Sequence, residues 1–255
     1  MRELLTRTLS GVALVAVIIA CVLFSYWSLT ALALFIVVLG TYEMCRLQHV
    51  DDKLFLVLGE LIVVGFFLIY LFLPPVHLVF VMASFLLALF SKSYDFKSIA
   101  SFVFGSLAFL SLPCALMMRM HETFGPKMVM LVFLLLWTND IFAYLTGKLL
   151  GKHKLFSRIS PGKTIEGSIG GLVFTIITMM VFAHYSDWLP IAKGIGMAAI
   201  AVVFGTLGDL CESMLKRQAG VKDSGKLIPG HGGILDRFDS VMFSIPFIFV
   251  YLMLL

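Results

Sequence analysis

The sequence predicts an all-α integral membrane protein with about nine transmembrane helices. Of its 255 residues, 60% are apolar, compared with about 45–50% in a soluble domain, and the mean hydropathy is +1.04. Apolar runs of about 20 residues, the length that crosses a bilayer, recur along the chain. Because no polar run between them is long enough for a soluble domain, we expect one membrane domain over residues 1–255.

The predicted helices follow from the apolar runs and from the turn residues between them. Phe24, Tyr26 and Trp27 follow the first run where a signal peptide would have a cleavage site, so we interpret this run as a retained helix. Pro74 and Pro75 separate the third and fourth runs. The predicted spans are Leu9–Tyr26, Ser28–Cys45, Leu54–Leu73, Val76–Phe90, Ser98–Met118, Val129–Leu150, Gly167–His184, Gly194–Leu215 and Asp239–Leu255.

Charge placement predicts the topology of these helices. With the N-terminus in the cytoplasm, sixteen of the 19 Lys and Arg residues fall on cytoplasmic segments, and only Arg119, Lys127 and Lys193 fall outside. This bias is the positive-inside rule. It places the polar loops after the sixth and eighth predicted helices in the cytoplasm, where nucleotides are. The four cysteines have no CxxC spacing, so neither a zinc site nor a disulfide is predicted.

The segment from Ser213 to Asp239, SMLKRQAGVKDSGKLIPGHGGILDRFD, is rich in charged residues and glycine. We call it the signature segment. Glycine lets backbone N–H groups approach an anion closely, and carboxylates beside substrate phosphates are usual Mg²⁺ ligands. The segment therefore indicates a site for a polyphosphate–metal complex, although charge alone fits a solvated basic loop equally well.

Two predicted helices carry ionisable residues inside apolar runs. In the sixth, Asp140, Tyr144 and Gly147 share one face. An ionisable residue in an apolar span is a functional-site hypothesis by default, but packing alone would also explain Asp140. The eighth helix carries a polar stripe with four members: Asp209, Glu212, Ser213 and Lys216. Side chains that reach the water at the membrane surface would also explain the presence of Asp209 and Glu212. We favour Asp209 as a metal ligand and rank Glu212 lower.

Two helix starts carry further candidates. At the predicted start of the ninth helix, we favour Asp239 as the helix cap and assign Asp236 to the polar pocket. Before the seventh helix, Lys163 and Thr164 are expected to face an anion at the helix N-terminus. An ordinary capping sequence is the alternative there. The glycines at 170 and 171 would allow close helix packing or lipid access.

These motifs resemble the phosphatidate cytidylyltransferase (CDP-diacylglycerol synthase) family. Fixed positions at fixed spacing make a chance match remote. The resemblance is specific over about Trp137 to Asp239. It rests on Ser213-x-Leu215-Lys216-Arg217, Lys222-Asp223, Pro229-x-His231-Gly232-Gly233-x-x-Asp236-Arg237-Phe238-Asp239, Asn139-Asp140-x-x-Ala143-Tyr144 and Ser160-Pro161-x-Lys163-Thr164-x-Glu166-Gly167.

The resemblance implies that CTP and phosphatidate react to give CDP-diacylglycerol and pyrophosphate in phospholipid biosynthesis. It implies Mg²⁺ as cofactor, leaves a second, monovalent cation open, and implies a homodimer, although no residue pattern marks an interface. We expect a bacterial-type inner (plasma) membrane location, contact with membrane lipids and no nucleic-acid partner. Residues 129–255 would hold the catalytic helices and loops, and residues 1–128 would serve anchoring, lipid binding or dimer contacts.

The resemblance also implies three sets of site residues. The catalytic set is Asp209, Asp236, Lys216 and Arg237. The substrate-binding set is Lys163, Thr164, Ser213, Arg217, Lys222, Asp223, His231, Gly232, Gly233, Asn139 and Tyr144. The metal-binding set is Asp209, Asp236, Asp140, Glu166 and Asp239.

Three other hypotheses compete with this function. A transporter or ion channel would use Asp140 and Asp209 as ion sites inside the membrane, but it would not explain the cationic loops. A CDP-alcohol phosphotransferase would carry an Asp-Gly-x-x-Ala-Arg run, which the sequence lacks. A catalytically inactive scaffold would not require the complete set of polar groups present here.

Overall fold

The computed structural model describes residues 2–48, 53–72, 105–186, 189–230 and 232–254. These residues are predominantly helical, which confirms the predicted class of helical membrane protein. Among them, five helices are long and apolar enough to cross a membrane: Leu5–Phe24, Tyr26–Leu47, Pro126–Leu150, Ile165–Tyr185 and Ile191–Gln218. The count of nine stays a prediction, and its fourth span, Val76–Phe90, lies outside the described residues.

The chain divides into two compact units. Unit one comprises Met1–Pro126 and Gln218–Phe238, and unit two comprises Lys127–Arg217 and Asp239–Leu255. The signature segment therefore begins in unit two, passes through unit one and returns to unit two at Asp239. The sequence-based expectation of a single membrane domain stays a prediction.

The described residues of unit one form four α-helices: α1 (Arg2–Phe24), α2 (Tyr26–Leu47), α3 (Lys53–Phe72) and α4 (Leu112–Phe124). Ser25 separates α1 from α2 by forming a capping box with Ser28. The Ser25 hydroxyl accepts the Ser28 N–H at 3.1 Å, and the Ser28 hydroxyl accepts the Ser25 N–H at 3.0 Å. Two N–H groups that a helix start would leave unsatisfied are thereby bonded.

The helices of unit one pack around apolar side chains. Ile36 of α2, Phe67 of α3 and Met117 of α4 are fully buried. A π-helical turn, Leu107–Ser111, leads into α4, and the Ser111 hydroxyl donates a hydrogen bond to the Val63 carbonyl of α3. This bond satisfies a buried hydroxyl inside the apolar core, where an unpaired polar group would be costly.

In the part of unit two that the structure describes, there are a small β-hairpin and four helices. They are α5 (Pro126–Leu150), β1 (Lys154–Phe156), β2 (Ser160–Thr164), α6 (Ile165–Tyr185), α7 (Ile191–Gln218) and α8 (Leu235–Met253). The first turn of α8 belongs to unit one. The antiparallel strands pair Lys154 with Thr164 and Phe156 with Ser160. This hairpin is a small departure from the all-α prediction. It satisfies backbone groups of the polar connection between two helices.

The exposed surface of α6 is apolar along one face. Ile169, Val173, Ile177 and Val181 are all exposed and recur every four residues. Side chains at this spacing form one stripe along a helix. An exposed apolar stripe of this length is expected where a helix faces lipid.

Small residues bring α5 and α6 into close contact. A Cβ added to Gly167 would lie 2.7 Å from the Ala143 carbonyl oxygen and 3.1 Å from the Gly147 Cα. At Gly171 it would lie 3.1 Å from the Ala143 Cβ, and at Gly170 it would meet the Thr146 side chain. These distances confirm the expectation that glycines 170 and 171 allow close helix packing.

Several helix ends differ from the predicted boundaries. α8 begins at Leu235, four residues before the predicted start at Asp239, so Asp239 lies more than one turn inside the helix. The prediction that Asp239 caps this helix is therefore wrong. α4 continues to Phe124, beyond the predicted end at Met118. Both differences have one cause: the helix extends into polar residues, whereas the prediction ended with the apolar run.

We expect Gly167→Ala to destabilise unit two by about 1–3 kcal/mol, the usual penalty for overpacking, because the new methyl group would press on the backbone of α5. The thermal unfolding midpoint of the purified protein in detergent measures this effect. Gly162→Ala is the matched control, since no atom of the described residues lies within 4 Å of its added Cβ. Equal midpoints for the two variants would contradict the close contact.

Candidate functional site

A carboxylate and an ammonium group from different elements meet in unit two. The Asp209 carboxylate of α7 lies 2.7 Å from the Lys163 ammonium of β2, and the two side chains are 33% and 26% exposed. The Ser213 hydroxyl, one turn along α7, donates to the same carboxylate at 3.2 Å. Lys163 is therefore paired with a protein carboxylate in this structure, and its predicted contact with a ligand anion at the start of α6 stays a prediction.

Asp239 links this ion pair electrostatically to a further acid, Asp140. Asp239 interacts repulsively with Asp209 and Asp140 and attractively with Lys163. The Asp239 carboxylate also accepts the Ser240 N–H at 2.7 Å. Three carboxylates from α5, α7 and α8 therefore share one electrostatic environment with one lysine. We call Asp140, Lys163, Asp209 and Asp239 the acid cluster.

Asn139 and Tyr144 occupy contrasting environments on α5. Asn139 is buried, its amide nitrogen lies 3.5 Å from the Asp140 carboxylate, and its carbonyl oxygen has no hydrogen-bond partner within the described part of the chain. Tyr144 is exposed, and the Lys148 ammonium lies 5.8 Å from its ring centroid. Asn139 therefore contacts Asp140 of the acid cluster, whereas Tyr144 forms part of the outer surface.

Thr164 and Glu166 connect the hairpin to α6. The Thr164 hydroxyl caps α6 by accepting the Gly167 N–H at 3.1 Å. The Glu166 carboxylate accepts the N–H groups of Lys152 and His153 and lies 2.6 Å from His153 Nδ1. The capping alternative is thus borne out for Thr164, while the metal-ligand role of Glu166 stays a prediction.

The polar stripe on α7 contains a second ion pair. Glu212 is buried at 1% exposure and pairs with Lys216, one turn away on the same helix. The Lys216 side chain is 11% exposed, whereas Arg217 is exposed. The predicted stripe is therefore confirmed, with its members joined as Asp209–Ser213 and Glu212–Lys216.

In unit one, Asp236 holds the signature segment together. Its Oδ2 accepts the Ser224 N–H at 2.9 Å, the Ser224 hydroxyl at 3.0 Å and the Gly233 N–H at 2.8 Å. Gly232 has φ +85°, and a Cβ there would lie 2.5 Å from the same carboxylate oxygen, so glycine is required by both backbone and space. The segment folds tightly around this one side chain.

The remaining predicted residues of the signature segment differ in exposure. Lys222, Asp223 and Arg237 are exposed and Gly233 is buried, while His231 lies outside the described residues. Exposed cations in this segment are available to an anionic ligand. Their substrate-binding and catalytic roles stay predictions.

Sequence reasoning missed Glu43 of α2. This residue is 4% exposed, and its carboxylate accepts hydrogen bonds from the Ile234 N–H at 2.9 Å, the Leu235 N–H at 3.0 Å and the Ser224 hydroxyl at 2.8 Å. Like Asp140, Glu43 is an ionisable residue inside an apolar run, and this position was the signal that could have identified it.

The donor set of the acid cluster suits a hard cation. Within the described residues, no three His, Cys, Asp or Glu side chains are grouped closely enough to hold a metal ion. Mg²⁺ is usually held by one or two protein carboxylates, with substrate phosphates and water completing its coordination. The all-oxygen donors of Asp209 and its neighbours fit that pattern.

The chain matches the model of the cytidylyltransferase family over residues 5–255. It is similar to proteins named phosphatidate cytidylyltransferase in three staphylococci. The identity is 49% over 129 residues for Staphylococcus aureus (strain COL) and 50% over 129 residues for Staphylococcus haemolyticus (strain JCSC1435), each covering 50% of both chains. For Staphylococcus saprophyticus it is 44% over 160 residues, covering 60% of this chain and 59% of the relative. The chain thus spans between half and three fifths of these relatives' length.

Replacing Thr164 separates its capping role from a role in substrate binding. Thr164→Ala removes the hydroxyl that caps α6 and should lower the free energy of unfolding by about 1 kcal/mol, whereas Thr164→Ser keeps the cap. Thermal unfolding without any substrate measures the difference. If Thr164→Ala unfolds at the same temperature as Thr164→Ser, the hydroxyl does not cap the helix.

Proposed function

Since the chain belongs to the cytidylyltransferase family, we propose that it transfers a cytidylyl group from CTP to phosphatidate, forming CDP-diacylglycerol and pyrophosphate. The observation that carries this proposal is the 44–50% identity to proteins named phosphatidate cytidylyltransferase. The cationic and carboxylate side chains of the signature segment and the acid cluster support it, because the reaction joins two phosphate-bearing substrates. These features do not favour the transporter hypothesis.

The chemistry requires charge neutralisation more than proton transfer. The phosphate monoester of phosphatidate has a second pKa of about 6 and is largely a dianion at neutral pH. One of its oxygens attacks the α-phosphorus of CTP, the bond to the α,β-bridging oxygen breaks, and pyrophosphate leaves with that electron pair. No general base is needed, but two polyanions must be brought together. Positioning and electrostatic stabilisation therefore supply most of the catalysis.

Lys163 is the side chain of the acid cluster best suited to this task. Its ammonium, 2.7 Å from the Asp209 carboxylate, can exchange that contact for a substrate phosphate when a cation neutralises the acids. Asp209 is the principal Mg²⁺ ligand of the cluster in this proposal, with Asp140 and Asp239 as neighbouring acids. Bound Mg²⁺ would supply neutralisation of the phosphate charge.

The signature segment supplies the other groups. Asp236 stays the second proposed metal ligand, as the family resemblance implies, and Glu166 a further candidate. Gly232 and Gly233 stay proposed substrate-binding residues by family resemblance, although the carboxylates of Asp236 and Glu43 pack against them in the structure. The cations proposed to bind the triphosphate and the lipid head group are Lys216, Arg217, Lys222 and Arg237, with Lys163.

The proposed membrane arrangement follows the sequence analysis. Nine helices with a cytoplasmic N-terminus would put the hairpin and the signature segment on the cytoplasmic side of an inner membrane, where CTP is. Phosphatidate would enter laterally from the bilayer with its acyl chains between helices. A homodimer and a second, monovalent cation are part of the same proposal by family resemblance.

We expect Asp209→Asn and Lys163→Gln each to lower transfer of radiolabelled CMP from CTP to phosphatidate by roughly 100-fold or more, as lost electrostatic stabilisation does elsewhere. Purified protein in detergent, with Mg²⁺ and with an EDTA control, gives the measurement. Glu122→Gln, an exposed carboxylate that pairs with Arg119, is the control and should keep full activity.

The outcomes separate the function from the residue roles. A folded wild-type protein that labels no lipid with CTP and Mg²⁺ would refute the proposed function. A wild type that labels lipid, with variants as active as Glu122→Gln, would refute only the roles of Lys163 and Asp209.

A further inference from the structure

The buried carboxylate of Glu43 is the feature of unit one that the proposed function does not use. α2 is otherwise apolar enough to span a membrane, and Glu43 is 4% exposed within it. Burying a charged or polar group is costly unless hydrogen bonds replace water. A glutamate at this position therefore requires partners, and they identify its role.

The partners of Glu43 come from a segment about 190 residues away in the chain. Its Oε1 accepts the Ile234 N–H, and its Oε2 accepts the Leu235 N–H. Both N–H groups belong to the start of α8, where a helix has no internal acceptors for them. A carboxylate at a helix N-terminus also complements the helix dipole. Glu43, which lies on α2, thus caps α8. The N–H groups of Ile234 and Leu235 are therefore hydrogen-bonded to a protein carboxylate.

A single hydroxyl joins Glu43 to Asp236. Ser224 is 6% exposed, and its Oγ lies 2.8 Å from Glu43 Oε2 and 3.0 Å from Asp236 Oδ2. A serine hydroxyl carries one proton, so it donates to one carboxylate at a time and couples their positions. A Cβ on either Gly225 or Gly233 would collide with the Glu43 carboxylate. The segment is therefore packed directly on this side chain.

We propose that Glu43 is the positioning residue of the signature segment. It fixes the start of α8 through Ile234 and Leu235, and it fixes the orientation of Asp236 through Ser224. The consequence for catalysis rests on the proposed function, in which Asp236 is a metal ligand. The N-terminal helices then have a defined part in the reaction, beyond the anchoring, lipid-binding or dimer roles expected for residues 1–128.

Two substitutions test this role with different severity. Glu43→Gln keeps the side-chain size but replaces one acceptor oxygen by an NH₂ group, which cannot accept the N–H it faces. Ser224→Ala leaves Glu43 at the helix start and removes only the link to Asp236. Hydrogen–deuterium exchange in detergent, without substrates, should show faster exchange at residues 232–237 in Glu43→Gln, with the protection of α3 and α4 unchanged.

Activity provides the second readout. In both variants the Mg²⁺ concentration for half-maximal transfer should rise or the rate should fall by about 10- to 100-fold, the range for residues that orient metal ligands. Glu43→Asp keeps two carboxylate acceptors on a shorter side chain and should recover part of the loss. Glu60→Gln, on neighbouring α3 and half-buried, is the matched control and should behave as wild type.

The outcomes distinguish this proposal from the proposed function. An inactive, folded wild type refutes the function, while the exchange experiment still decides whether Glu43 holds the segment. Wild-type exchange at 232–237 in Glu43→Gln would overturn the proposal. If that variant does not fold, Ser224→Ala decides: wild-type Mg²⁺ dependence and rate would overturn the link to Asp236, and the predicted loss would support it.

Discussion

A carboxylate buried in an apolar helix must find hydrogen-bond donors or a cation, and this constraint organises the polar parts of both units. In unit one, Glu43 accepts the backbone N–H groups of Ile234 and Leu235. In unit two, Asp209 pairs with Lys163 and Glu212 pairs with Lys216. Since an unpaired buried charge would be strongly unfavourable, Glu43 determines where the signature segment lies. Asp209, which is one-third exposed, links β2 to α7, whereas Glu212 and Lys216 belong to the same helix.

The segments outside the long helices are held in place by these acids. The hairpin reaches α7 through Lys163 and is tied to α6 by Glu166 and the Thr164 cap. The signature segment is folded around Asp236 and rests on Glu43. Irregular backbone with so many internal bonds is preorganised, which benefits a reaction that depends on positioning and charge neutralisation.

The sequence predicted the long helices and the polar stripe of α7 because apolar runs and helical spacing are local properties. The predicted start of α8 at Asp239 was too late, because the segment from Leu235 to Phe238 includes charged residues. The helix accommodates them because Asp236 accepts the Gly233 N–H and Glu43 caps the helix by accepting the Leu235 N–H. The hairpin was missed because its strands have only three and five residues. Glu43 carried a local signal, an ionisable residue inside an apolar run, but its pairing with Ser224 depends on the tertiary structure, so no local pattern specifies that pairing.

In the proposed reaction, a phosphatidate oxygen attacks the α-phosphorus of CTP. Phosphatidate labelled with ¹⁸O in its phosphate group tests this claim most directly, with both products analysed by mass spectrometry after incubation with the purified protein, CTP and Mg²⁺. We predict CDP-diacylglycerol that retains every ¹⁸O atom, together with pyrophosphate that contains none. Label in the pyrophosphate, or consumption of CTP without formation of a cytidylylated lipid, would contradict the proposed reaction.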